Sequence, residues 1–369
     1  MIRVQAFQPD WISAPGDTIR DLLQERNLSS DWLVGALERP PEVVDGLLSG
    51  QAAITMPLAQ KLGEVLGAST DFWIRRDSMY RETLEAAKER EQAWFAQVPF
   101  GDLVTRGWVA NARTRSAQVA TLLDFFDVSS LAGWSRKYEE VQQNYAFRTS
   151  PSIRLTSIGV AIWLRQGERL ASTIECAPWN PDEFRRTLSS IRALTRQKNP
   201  ELFIPELQQL CAMNGVALVV VQPVKGCRAS GATRLLSRDR AMIVMSARHL
   251  SEDHFWFTFF HEAAHLLLHA GQKFFLDFDL LAGEAASPVY EQEANDFAAN
   301  LLIPTEYVDE MIRMKIDSKT VIRFASRIGI SPGIVVGQLQ NRKRIEHNWL
   351  NGLKRRYQWS SDKLVLKPN

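Results

Sequence analysis

The sequence has little cysteine, no long apolar run and no leader-like start. Its three cysteines, Cys176, Cys211 and Cys227, are widely separated and form no CxxC pair, which argues against a disulfide framework and against a thiolate zinc site. The first residues, MIRVQAFQPDW, contain no basic segment followed by an apolar one. No stretch reaches the roughly 18 uncharged apolar residues of a membrane span. We therefore expect a cytoplasmic protein with reduced thiols and with neither a signal peptide nor a membrane span.

Neither sign of charge is in large excess, since the formal net charge is only +2 at neutral pH. The charged residues are nevertheless unevenly distributed along the chain. Between Pro15 and Asp77, six Lys and Arg residues are outnumbered by ten Asp and Glu residues, whereas eight stand against two between Asn341 and Asn369. The C-terminal tail could attract acidic partners, and the N-terminal region lacks the basic surface that attracts nucleic acid.

The N-terminal region has the periodicity of a small helical bundle. With 369 residues, the chain can form two or three domains, each with its own core. Gly50 and Gly67 stand where helices should end. We predict a five-helix bundle over residues 1–85, followed by a polar helical connector over 86–98. Apolar residues recur at helical spacing in the segments 17–26, 29–37, 40–48, 55–66 and 70–80.

The rest of the chain combines helical segments with two short β-branched runs. GVALVVV at 215–221 and AMIVMSA at 241–247 predict buried strands, with ASGATR in a loop between them. The expected fold class is therefore α+β, mainly helical, with a small sheet. Helices are predicted at 116–126, 156–172, 181–196, 204–214, 251–270, 288–302, 304–313 and 317–341. The predicted regions are a middle region at 99–237, a catalytic region at 238–345 and a basic tail at 346–369.

The strongest chemical signal is HEAAH, within the apolar run FWFTFFHEAAHLLLHAG at 255–271. His261 and His265 are four residues apart, so on a helix they lie about 40° apart on one face. Two imidazoles at that separation can bind one zinc ion at roughly 2.0–2.1 Å each. Glu262 is rotated by about 100° from His261 and is placed to reach a water on the metal. As a general base it would take the proton of that water, whose pKa zinc lowers toward about 7.

The alternative is that these polar residues are only tolerated in a buried helix, because a five-residue HExxH pattern also arises by chance. Left unsatisfied, each buried imidazole or carboxylate would cost on the order of 1–3 kcal/mol or more. A metal ion would satisfy all three at once. The apolar surroundings therefore favour a zinc site.

A third ligand is expected from a nearby helix, and YEQEANDFAANLLIP at 290–304 offers candidates. Glu291 and Asn295 are four residues apart, so the carboxylate could bind zinc while the amide fixes an imidazole. For Glu293, a solvated carboxylate on the helix surface is favoured over ligation. His269 has rotated too far from His261 for a fourth ligand, so we expect a hydrogen-bonding neighbour there.

At these residues the chain resembles the ImmA/IrrE family of zinc-dependent metallopeptidases. That family combines HExxH with E-x-E/Q-A-N-x-F-A-x-x-L-L-x-P, and here HEAAH is followed by EQEANDFAANLLIP. GVALVVV, ASGATR and SRIGISPGIVVGQLQ also resemble segments of its long members, so the similarity covers roughly residues 100–345. The resemblance implies a gluzincin-like domain with Zn²⁺ bound by His261, His265 and Glu291, and with Glu262 as catalytic acid/base. No motif identifies the group that stabilises the transition-state oxyanion.

The N-terminal region resembles the Xre-type helix-turn-helix, especially that of HigA antitoxins, which ends G-x-x-x-I-T-x-x-x-A-x-x-L-x-x-x-L-G-x-S-x-x-F-W. In such folds the third helix enters the major groove with polar and basic side chains. Here it reads PPEVVDGLLSG, which places Glu42 and Asp45 at the expected DNA face and leaves Arg39 as the nearby cation. Carboxylates oppose the counterion release that drives DNA binding.

The resemblance therefore implies the helix-turn-helix fold, while the DNA-binding residues stay unknown. Ser49, Gln51 and Thr55 could still meet the DNA backbone if the acidic side chains point away. A protein-docking or homodimerisation surface is an equal alternative, because fold does not fix function.

The basic tail, NRKRIEHNWLNGLKRRYQWSSDKLVLKPN, interleaves cations with Trp349, Tyr357 and Trp359. Arg and aromatic side chains together can stack on nucleic acid. We favour the other interpretation, an amphipathic helix that packs its aromatic and Leu side chains on the domain.

Two functions of different class follow. The first is a zinc metallo-endopeptidase that cleaves a regulatory protein, such as a helix-turn-helix repressor, in a stress, mobile-element or toxin–antitoxin response. The second is a DNA-binding regulator or antitoxin whose peptidase-like domain senses a signal or binds a toxin. The missing basic recognition helix favours the first.

Overall fold

The computed structural model describes residues 13–138, 157–269, 274–278 and 288–368, the segment 274–278 and residues 157 and 288 by backbone alone. The N-terminal residues MIRVQAFQPDW, on which the expectation of no signal peptide was based, therefore lie outside the described residues. The chain divides into two compact units, Met1–Gln97 and Val98–Asn369. No helix in the described ranges is long and apolar enough to cross a membrane.

The described part of the first unit, from residue 13 onward, contains five helices that meet around one apolar core. Ile19, Leu33, Val44, Leu62 and Trp73 are fully buried in it. These helices are α1 (Pro15–Glu25), α2 (Ser30–Leu37), α3 (Pro41–Leu48), α4 (Met56–Leu66) and α5 (Thr70–Phe95).

Local sequence explains where these helices begin. Ser29 and Ser69 cap α2 and α5, because their hydroxyls accept the amide hydrogens of Trp32 and Phe72. Helix α5 runs without a break through the predicted end of the bundle at residue 85. The connector predicted at 86–98 is therefore largely the second half of that same helix.

The second unit begins with helices on the N-terminal side of its sheet. They are α6 (Phe100–Thr105), α7 (Arg115–Phe126), α8 (Leu131–Lys137), α9 (Ser157–Ser172), α10 (Pro181–Leu194) and α11 (Pro200–Ala212). Helix α11 begins earlier than the predicted residue 204, because Asn199 caps it by accepting the amide hydrogen of Glu201 and Pro200 opens it.

Four strands form the larger sheet in the described ranges of this unit. They are β1 (Val216–Val220), β2 (Ala229–Ser237), β3 (Arg240–Met245) and β4 (Phe274–Phe278). Their order is β1-β3-β2-β4, with β1 parallel to β3 and β2 antiparallel to both β3 and β4. The predicted boundary between residues 237 and 238 falls in the turn between β2 and β3, so one sheet contains both sides of it.

The prediction of a loop at ASGATR was wrong, since these residues are the first six of β2. The segment is made of small and polar residues, which do not predict a strand, yet the first five positions of the strand are buried. Pairing on both sides, rather than intrinsic propensity, makes this segment extended.

Among the residues that the structure describes, five α-helices follow β3 along the chain. They are α12 (Glu252–Leu268), α13 (Pro288–Leu302), α14 (Thr305–Arg313), α15 (Ser318–Ile328) and α16 (Pro332–Asn341). The single helix predicted at 317–341 is in fact α15 and α16. The break lies at Gly329, which ends α15 with a φ of 77°, and at Pro332, which opens the next helix.

The amphipathic helix predicted for the tail was also wrong. The tail has a short 3₁₀ turn at Asn351–Leu353 and then a hairpin of β5 (Tyr357–Ser360) and β6 (Lys363–Leu366). Tyr357 is buried and its ring lies near Phe203 and Phe255, whereas Trp349 is half-exposed. The alternating YQWS and KLVL segments fit the two-residue period of a strand.

Helix α12 lies at the centre of the core of this unit. Trp256, Phe259 and Phe260 are fully buried on it, among side chains from β3 and α16 such as Ile243 and Val335. The mainly helical α+β class with a small sheet is confirmed. The HEAAH segment is consequently held by a helix with little room to move.

Candidate metal centre

The first turn of α12 is fixed by buried ion pairs with the C-terminal tail. Glu252 accepts hydrogen bonds from the Ser331 hydroxyl at 2.8 Å and from the Arg355 amide at 3.0 Å, and it pairs with the Arg355 guanidinium at 3.3 Å. Asp253 pairs with the Lys354 ammonium at 2.5 Å. Two carboxylates in the first turn also match the positive end of the helix dipole.

These carboxyls differ in their titration. Burial raises the pKa of Glu252 above its usual value, although Arg355 opposes that shift. Burial acts in the same direction on Asp253 and is the largest single effect there, but Lys354, His254 and the Ser251 hydroxyl together lower the pKa of that carboxyl. Asp253 is therefore held as an anion by these neighbours.

Two turns farther along α12, His261 and His265 direct their Nε2 atoms to one point. These atoms lie 3.0 Å apart. From the first turn of α13, the Oε2 atom of Glu291 comes to 3.3 Å from the Nε2 of His261 and 3.9 Å from that of His265. All three side chains are buried, so one carboxylate and two imidazoles converge inside the protein. We call His261, His265 and Glu291 the ligand cluster, because together they could hold a metal ion.

The spacing of this set suits a tetrahedral ion. Ligands bound at roughly 2.0–2.1 Å in tetrahedral geometry stand about 3.3 Å from one another, close to the three separations found here. Two imidazoles and one carboxylate are also a donor set typical of catalytic zinc, which leaves a fourth position for water or substrate. The residues therefore fit the metal that the sequence predicts.

Asn295, one turn after Glu291 on α13, contacts the outer nitrogen of the first imidazole. Its Oδ1 lies 3.0 Å from the Nδ1 of His261. Because the Nε2 of His261 faces the ligand cluster, Nδ1 must carry the hydrogen and donate it to the amide oxygen. This contact fixes both the tautomer and the ring orientation of His261.

His269 and Glu293 are also part of this region. The Nδ1 atoms of His269 and His265 are 3.1 Å apart, and the Nε2 of His269 lies 2.8 Å from the Oε2 of Glu293. Neither His269 nor Glu293 belongs to the ligand cluster. Glu293 is 52% exposed, and it contacts His269 from the surface.

Glu262 lies on another face of α12, against strand β2. The side chain is fully buried, and a Cβ atom built on Gly231 would approach its Oε1 to 2.4 Å. Only a glycine at this position leaves room for the carboxylate where it stands. Gly231 was missed as a site residue, because the ASGATR segment carries no local signal that it packs on the HEAAH helix.

In the first unit, the acidic residues of α3 are solvent-exposed. Glu42 and Asp45 are both on the surface, as is Arg39 just before the helix. Ser49, Gln51 and Thr55 are exposed as well. The surface that would meet DNA in a helix-turn-helix protein thus carries two carboxylates.

Comparison with known proteins gives separate matches for parts of the two units. Residues 225–340, which contain His261, Glu262, His265 and Glu291, match the Peptidase_M78 family model, the IrrE N-terminal-like domain. In the N-terminal region, 60 residues are 40% identical to the uncharacterized HTH-type transcriptional regulator YddM of Escherichia coli (strain K12). That match covers 16% of this chain and 64% of the relative, so the chain spans less than two thirds of the relative's length. Residues 225–340 are therefore similar to the IrrE N-terminal-like domain of the Peptidase_M78 family, and the N-terminal region is similar to an HTH-type transcriptional regulator.

Proposed function

We propose that the protein is a zinc-dependent metallo-endopeptidase that cleaves a regulatory protein. The observation that carries this proposal is the buried convergence of His261, His265 and Glu291, with Asn295 orienting one imidazole. The match of this region to a peptidase family supports the same activity.

In this proposal His261, His265 and Glu291 hold the ion. The chemistry that zinc supplies in such a site is Lewis acidity, which polarises a peptide carbonyl and lowers the pKa of water. Glu262 accepts the proton of the attacking water at a carboxylate oxygen and delivers it to the leaving amide nitrogen. Gly231 keeps this carboxylate in place.

The first test is metal content. The protein purified without added chelator should contain close to one zinc per chain, and His265→Ala should lose it because two ligands bind far more weakly than three. Glu262→Gln should keep the metal, since Glu262 is no ligand in this proposal. A native protein devoid of zinc that also fails to take it up would refute the proposal.

The substrate can be sought with the same variant. Glu262→Gln lacks the base but retains the proposed binding site, so it should retain a substrate that the native enzyme releases as fragments. Incubation of the captured protein with native enzyme should give a single discrete cleavage, and His265→Ala should give none. A helix-turn-helix repressor is the expected class of substrate, in a stress, mobile-element or toxin–antitoxin response.

A second candidate function is supported by the similarity to an HTH-type regulator. On this view the protein binds DNA, and the metal-site region senses a signal or binds a toxin. Gel-shift assays on the DNA upstream of its own coding sequence, over a salt series, separate the two, because phosphate contacts weaken steeply with salt. Removal of the exposed carboxylates in Glu42→Gln/Asp45→Asn should strengthen binding if α3 meets DNA. Absence of any shift at low salt would remove this candidate.

A further inference from the structure

A row of hydrogen-bonding groups leads from the ligand cluster to the protein surface. It begins at His265, passes through His269 at the C-terminal end of α12, and ends at Glu293 on α13. The two histidines are 2% and 6% exposed, whereas the Glu293 side chain is half in solvent. The row therefore joins two helices and connects a buried imidazole to an exposed carboxylate.

The direction of each hydrogen bond follows from the ligand geometry. The Nε2 of His265 faces Glu291 and His261, so a bound ion requires that nitrogen to have no hydrogen. The hydrogen of the ring then lies on Nδ1, which donates to the Nδ1 of His269 at 3.1 Å. His269 must accept at Nδ1 and so carries its own hydrogen on Nε2. That hydrogen is donated to Glu293 at 2.8 Å.

With a metal ion at the Nε2 of His265, only one arrangement of hydrogens makes both of these contacts favourable. A His269 with its hydrogen on Nδ1 would oppose the Nδ1 hydrogen of His265, and it would leave the Glu293 carboxylate facing a bare nitrogen. The carboxylate therefore selects the tautomer of His269, and His269 in turn selects that of His265. For His261 a single amide, Asn295, has the same effect.

We infer that His269 and Glu293 form a positioning pair that holds His265 in the tautomer and orientation required for metal binding. This inference rests on the proposed zinc site. In that site, neither His269 nor Glu293 contacts the metal or the substrate. Outer hydrogen-bond partners of this kind contribute about 10–100-fold to metal affinity, and the negative charge of Glu293 also makes the ligating nitrogen a better donor.

The test is the zinc dissociation constant, measured on the full chain by competition with a chromophoric chelator. His269→Ala and Glu293→Ala should each weaken zinc binding by about 10–100-fold. Gln292→Ala is the matched control, because Gln292 is the exposed neighbour on α13 and bonds to Asp296 instead. It should leave the dissociation constant unchanged.

A conservative variant separates positioning from a general structural role. In His269→Asn, the amide oxygen can accept the Nδ1 hydrogen of His265 without any help from Glu293. Zinc affinity should therefore return to within a few-fold of the native value. Glu293→Ala should then have no further effect in the His269→Asn background, although it weakens binding in the native one.

The outcomes distinguish this inference from the proposed function. A native chain that binds no zinc would refute the proposed function itself. If the native chain binds zinc and folded Glu293→Ala binds it with a dissociation constant within twofold of the native value, the positioning pair alone would be overturned. The pair would also be overturned if His269→Asn were as weak as His269→Ala, or if Glu293→Ala weakened zinc binding equally in both backgrounds. Because Glu293 is half-exposed, its variant remains a valid test even if His269→Ala does not fold.

Discussion

At the scale of single residues, the carboxylate of Glu262 depends on the missing side chain of Gly231. The two residues lie on α12 and β2, and a methyl group on Gly231 would approach the Glu262 carboxylate to 2.4 Å. The φ of Gly231 is not in the left-handed region, so alanine meets no backbone barrier there. The constraint is one of space alone.

Gly231→Ala should therefore displace Glu262 without disturbing the ligands. We expect zinc stoichiometry to stay at the native level and cleavage of the trapped substrate to fall by roughly 100-fold, because a general base shifted by about 1 Å is badly placed. Gly101→Ala is the control, since a Cβ there meets nothing within 4 Å. Loss of zinc together with loss of cleavage would contradict this explanation.

The convergence of the proposed ligands could be predicted because the signal is local. His261 and His265 are one turn apart on one helix, as are Glu291 and Asn295 on another, and both helices form where the periodicity indicates. Contacts of Glu262 with Gly231 required knowledge of which strand packs on α12. Such tertiary contacts leave no periodic trace in the sequence.

At the scale of elements, the position of α12 depends on tail residues that lie just before the β5–β6 hairpin, beyond the family-matched region. Lys354 and Asp253 form a pair in which both side chains are less than a tenth exposed. Asp253 is held as an anion, so removal of the ammonium leaves a buried charge without its partner. Glycines on α16 give the carboxylates room, since a Cβ on Gly337 would approach Asp253 to 2.7 Å.

Lys354→Met should accordingly destabilise the second unit by about 3–5 kcal/mol. In the double variant Asp253→Asn/Lys354→Met, most of this loss should be recovered because no buried charge remains. Urea unfolding followed by circular dichroism measures both effects. Lys363→Met, on the exposed face of the same hairpin, should change stability by less than about 0.5 kcal/mol. Equal losses in the single and double variants would contradict the ion-pair argument.

The lowered pKa of Asp253 gives its pair a definite pH dependence. A carboxyl with a lower pKa in the folded than in the unfolded state stabilises the fold above the unfolded pKa, near 3.9. That stability disappears as the pH falls through the folded pKa. Asp253→Asn should therefore lose less stability than the native chain as the pH falls below about 4, when the urea midpoints of both chains are compared.

The tail also shows why some elements could not be predicted. Trp349, Tyr357 and Trp359 suggested an amphipathic helix, because apolar and basic residues alternate at mixed spacing. The hairpin is instead selected by its contacts, since the Tyr357 amide donates to Leu250 and Arg356 bridges to Ser251 next to α12. A strand that forms by pairing with a distant segment cannot be predicted from the local spacing of apolar residues.

At the scale of the whole molecule, the proposed metal site belongs to one of two compact units. All three ligand residues lie in Val98–Asn369, and the helix-turn-helix-like core lies in Met1–Gln97. A ligand that binds only the native state stabilises it in proportion to the logarithm of its concentration over the dissociation constant. Zinc should therefore raise the free energy of unfolding of the second unit and leave that of the first unchanged.

Calorimetry of the full chain tests this expectation. Leu62→Ala, in the core of the first unit, should lower one transition by about 2–5 kcal/mol and so identify it. A chelator should then lower the other transition, and zinc at about 100 times its dissociation constant should restore about 2.7 kcal/mol. His265→Ala should show neither response, because the native state no longer binds the ion tightly. A chelator effect on the transition that Leu62→Ala identifies would mean that the metal acts outside His261, His265 and Glu291.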